Sequence, residues 1–72
     1  MRELDPKTAA TVKDAEFLKK ALSEAEVAAR KCSFYAGLAS DPQVRAAFAE
    51  EEKVLRRSAK VFERLHTQIM GE

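Results

Sequence analysis

The chain is poor in everything that staples or breaks a backbone: one cysteine, two glycines, two prolines and no tryptophan in 72 residues. A single cysteine closes no internal disulfide, so no oxidising compartment is implied. Glycine at only positions 37 and 71 leaves no Gly-rich phosphate loop. Excess charge of one sign is missing too, since 13 basic residues meet 12 acidic ones. A net charge of +1 supplies no field that would draw nucleic acid or an anionic membrane. Arg56-Arg57 and Lys19-Lys20 are isolated basic pairs without aromatic platforms, which again excludes nucleic acid as an expected partner. No uninterrupted apolar run approaches the ~20 residues that span a bilayer. The opening "MRELDPKTAA" has no apolar core for a secretion signal. The expected setting is the cytoplasm, with no membrane span.

What is abundant is Ala, Glu, Lys and Arg, the composition of helices. At this length the chain is one small domain, 1–72, near the size at which a single core is hard to complete. Its punctuation occurs twice in one form, "LDP" at Leu4–Pro6 and "SDP" at Ser40–Pro42. Asp accepts hydrogen bonds from the free amides of a first turn, and Pro at the next position has its φ preset for a helix. Ser40 with Gln43 offers a capping box that would start the second helix one residue earlier. Pro42 disfavours helical geometry at Asp41, so the first helix stops near Ala39. The reading is a first helix over about 6–39, a turn at about 40–41 and a second helix over about 42–70. These are rods of roughly 50 and 43 Å, and so short a link folds them into an antiparallel αα-hairpin.

Apolar periodicity supplies the seam. Thr11, Ala15, Leu18, Leu22, Ala25, Ala29, Cys32, Ala36 and Ala39 follow alternating steps of four and three. On the second helix Val44, Phe48, Glu51, Leu55, Ser58, Phe62, Leu65 and Ile69 do the same, which puts Glu51 and Ser58 on the seam. The first seam is mostly small and the second bulky, so large groups would sit over alanines. A further stripe lies beside the seams: Phe17, Ala21, Val27, Ala28, Phe34 and Tyr35, then Ala47, Val54, Ala59 and Val61. A lone hairpin would leave that stripe wet, whereas two hairpins would bury it as a four-helix bundle. The expected class is all-α, a hairpin that pairs with itself as a homodimer or higher oligomer. Its core and oligomer contacts would be Leu18, Leu22, Val44, Phe48, Leu55, Phe62, Leu65 and Ile69. Outward pairs Glu16–Lys20, Glu26–Arg30 and Glu52–Arg56 would keep it soluble.

"EVAARKCSFYAGLA" followed by "DPQVRAAFAEEEKVLRRSAKVFERL" resembles the helical hairpin of ferritin-like and rubrerythrin-like proteins, over roughly residues 22–65. Glu26 stands at the family's offset before Arg30 and Tyr35. The family's Glu and His on the next helix fall at Leu55 and Ser58, neither of which replaces a di-iron ligand. The layout is also similar to the spore coat F-like family, through "DPQVR" opening a second helix that ends in bulky apolar residues. That resemblance implies a ferritin-like bundle without metal, associated with spores and with other coat or structural proteins.

Of the sites that chemistry would use, none is a catalytic signature. Glu63 and His66 form an E-x-x-H one step off the seam, with Glu16 level across the hairpin. A metal there would need ligands from a second chain, as in a ferritin-like site completed between subunits. Cys32 sits among apolar positions, where a thiol behaves as a small hydrophobe. The expectation is a non-enzymatic self-associating module with no cofactor. The metal-binding protein using Glu16, Glu63 and His66 is the alternative.

Overall fold

Two Asp-Pro steps set the architecture. In the structure, a computed structural model that describes residues 5–71, α1 spans Pro6–Leu38 and α2 spans Pro42–Met70. Leu4, the first residue of the earlier motif, lies outside the described residues. Asp5 caps α1 by accepting from the Thr8 amide at 2.7 Å. Asp41 caps α2, its carboxylate accepting from Gln43 at 2.7 Å and Val44 at 3.2 Å. The start is therefore set by Asp41 and not by a Ser40 box. Asp41 is extended, as the following proline requires. α1 ends one residue short of the expected Ala39, which is itself extended. Arg45 Nε reaches back 2.6 Å to the Ala39 carbonyl, satisfying a group that the end of α1 leaves free.

The two helices pack against each other along their length as an all-α hairpin. The nine seam residues expected on α1 are all buried or half-buried. The α2 seam is a correction. Glu51 is exposed, while Glu52, Ala59 and His66 turn inward between Phe48, Leu55 and Phe62. Ser58 is half-buried at the edge of this row. Among the expected core residues, Leu18, Leu22, Phe48, Leu55 and Phe62 are half-buried, whereas Val44, Leu65 and Ile69 are exposed in the hairpin. The reason is steric: close approach of two helices needs small residues at the contact, and Ala59 supplies one where Glu51 and Leu65 do not.

The core this produces is thin. Among the described residues the buried side chains are all alanines, Ala15, Ala25, Ala29 and Ala59, and no large side chain is fully enclosed. The molecule measures 58 × 21 × 13 Å, a slab one helix thick. No described helix is long and apolar enough to cross a membrane.

Candidate functional site

A slab of two helices has two broad faces, and here they differ in chemistry. Helical spacing from the observed seam puts Phe17, Ala21, Ala28, Tyr35 and Leu38 of α1 on one face. Val44, Ala47, Val54, Val61 and Leu65 of α2 join them there. The opposite face carries Glu16, Lys19, Glu26 and Arg30 with Lys53, Arg56, Lys60 and Glu63.

A shallow groove on each face shows its character. On the apolar side a groove of about 320 Å³ near the open end is lined by Asp14, Phe17, Leu18, Leu65 and Ile69. On the charged side one of about 180 Å³ is lined by Leu22, Glu26, Arg56, Ala59, Lys60 and Glu63. At the turn end, Tyr35 packs against Phe48 with ring centres 5.4 Å apart and against Phe34 at 5.9 Å. These tilted stacks hold a firm aromatic ridge at the opposite end of the apolar face from its groove.

The electrostatics are those of a solvated surface. Of the three solubilising pairs, Glu52–Arg56 forms, at 2.8 Å, and it lies at the rim of the charged side. Glu16–Lys20 and Glu26–Arg30 are not within bonding distance, as long exposed side chains lose entropy when paired. The hydrogen bond from the Thr8 amide, then that from the Thr8 side chain, holds the Asp5 carboxyl below its ordinary value.

The candidate metal ligands do not converge. Glu16 and Glu63 are exposed on the charged face, while His66 is half-buried in the seam, one position inward of where the sequence reading set it. Among the described residues no three His, Cys, Asp or Glu side chains are grouped to hold a metal ion. Cys32 is half-buried on the α1 seam and unpaired. Leu55 and Ser58, the positions at which the resemblance to ferritin-like proteins would put metal ligands, are both half-buried.

Sequence reasoning named most of the second stripe but did not resolve it into one face, and it did not place Leu38, Glu24 or Lys31 there. The signal was there: Phe17, Glu24, Lys31 and Leu38 recur at intervals of seven. Set against protein-family models, curated proteins and solved structures, the chain matches none.

Proposed function

We propose that this protein is a non-enzymatic helical module whose activity is to associate with itself through the apolar broad face, completing a four-helix bundle. The observation that carries this reading is surface. The chain exposes 5836 Å². Size scaling gives about 4,450 Å² for a compact monomer of its 8.0 kDa, leaving an excess of roughly 1,400 Å². A standard interface takes about 800 Å² from each partner. The radius of gyration, 16.9 Å, likewise exceeds the ~11 Å of a compact chain this long. Most of the exposed large hydrophobics gather on one side, opposite a charged side, and Val12, Val27, Phe34 and Met70 lie off it; this gives the excess a direction. A structural part in a larger protein layer, with other coat-like proteins, is a proposal resting on the resemblance to the spore coat F-like family alone.

The test sets one face against the other. Val54→Glu with Val61→Glu places charges on the apolar face at positions outside the hairpin seam. Lys53→Glu with Lys60→Glu reverses charges on the other face. Light scattering at micromolar concentration should show the valine variant at the mass of one chain and the lysine variant at the mass of the parent. Dissociation by the lysine substitutions, with the valine variant still assembled, would assign the interface to the charged face.

A further inference from the structure

We infer that two copies pack with their apolar faces together and their turns at opposite ends, so that Phe17, Glu24, Lys31 and Leu38 of one copy meet Leu38, Lys31, Glu24 and Phe17 of the other. This rests on the self-association proposed above and specifies its partner, a second copy, and its orientation.

A two-fold axis that brings these faces together runs either along the hairpin or across it. Along it, the turns share an end and α1 of each copy lies over α2 of the other. The antiparallel register of the hairpin, fixed by Tyr35 against Phe48 and by the groove that joins Leu18 to Leu65, is then shared by both layers. Lys31 would then lie level with the partner copy's Glu51, but Glu24 would rest on its Val61, a charge desolvated against valine without a counterion.

Across the hairpin, α1 lies antiparallel on α1 of the partner copy. The row Phe17, Glu24, Lys31, Leu38 reads apolar, acidic, basic, apolar, and it is its own complement when reversed. Phe17 meets Leu38 and Glu24 meets Lys31, each contact occurring twice by symmetry. In the neighbouring row Tyr35 falls on the partner copy's Ala21, a large side chain over a small one, and Ala28 meets Ala28. The same register lays Leu38, at one turn end, over the open-end groove lined by Phe17, Leu18, Leu65 and Ile69. The α1 row that is its own complement therefore favours turns at opposite ends.

The experiment is pulsed dipolar spectroscopy on Cys32→Ala/Ser40→Cys carrying a nitroxide at the exposed turn, measured on the dimer fraction. Turns at opposite ends put the labels about 40 Å apart, from 1.5 Å of rise per residue. Turns at one end put them within about 20 Å, given a slab two helices deep. The longer distance supports the proposal. The shorter one overturns it and leaves self-association standing, whereas a protein with no dimer fraction overturns both. A charge exchange gives an independent reading: Glu24→Lys and Lys31→Glu should each weaken the dimer several-fold, and the double variant should recover it. A double variant as weak as the singles overturns the pairing.

Discussion

At the scale of single residues, the caps do the most with the fewest atoms. Asp5 accepts from the Thr8 amide at the positive end of α1, and its carboxyl is held below the ordinary carboxylate value. The ionised form is thus favoured by folding. Its contribution is complete above the ordinary value and is lost as pH falls through the lowered one. Asp5→Asn keeps an acceptor for the amide but has no such titration. The melting-temperature difference between the parent and Asp5→Asn should therefore shrink as pH is lowered from neutral into the acid range, and an unchanging difference would contradict the cap's role. Caps of this kind were legible in the sequence because Asp-Pro is a local signal: one side chain, one preset φ and the next turn decide it. The alternative start at Ser40 was equally local, and the geometry at Asp41 decided between them.

At the scale of the element, α1 was readable and α2 only in part. Along α1 a single row of small residues runs through the helix, so burial followed it from Thr11 to Ala39. Along α2 two rows flank Phe48, Leu55 and Phe62. One holds Val44, Glu51, Ser58 and Leu65, the other Glu52, Ala59 and His66. The greasier row looked like the core, yet the smaller residue at the point of closest approach decided the packing. Hydropathy alone does not see that choice, because it depends on a helix distant in sequence. The two glutamates now separate. Glu52, at 25% side-chain exposure, lies on the inner row, so Glu52→Leu should raise stability by about 1–2 kcal/mol, less the ~0.3–0.5 kcal/mol of its exposed pair with Arg56. That gain belongs to the hairpin and should not vary with protein concentration. Glu51 lies on the apolar face, where the opposed arrangement sets it near the partner copy's Val61. Glu51→Leu should raise the melting temperature more as the protein is concentrated, the mark of stability linked to assembly. Thermal melts at two concentrations distinguish them, and identical concentration dependence in both variants would contradict this division of α2.

At the scale of the whole molecule, the question is where the greasy row displaced from the core goes. A slab 13 Å thick with only alanines buried cannot enclose Val44, Leu65 or Ile69 by itself. The second stripe was visible in the sequence, but its gathering onto one face was not. Which side of a hairpin a residue joins depends on the hand of its packing and on the α2 row that faces inward. The charged face shows the converse: Glu63 and Glu16 belong to a solvated surface and His66 to the seam, so the E-x-x-H pair stays adjacent on α2 with no third ligand grouped beside it among the described residues. Assembly is the central claim, and sedimentation equilibrium at micromolar concentration tests it most directly. The account predicts a mass of at least twice the 8.0 kDa of one chain, falling toward one chain on dilution together with helicity. A fully helical species at the mass of a single chain across that range would contradict it.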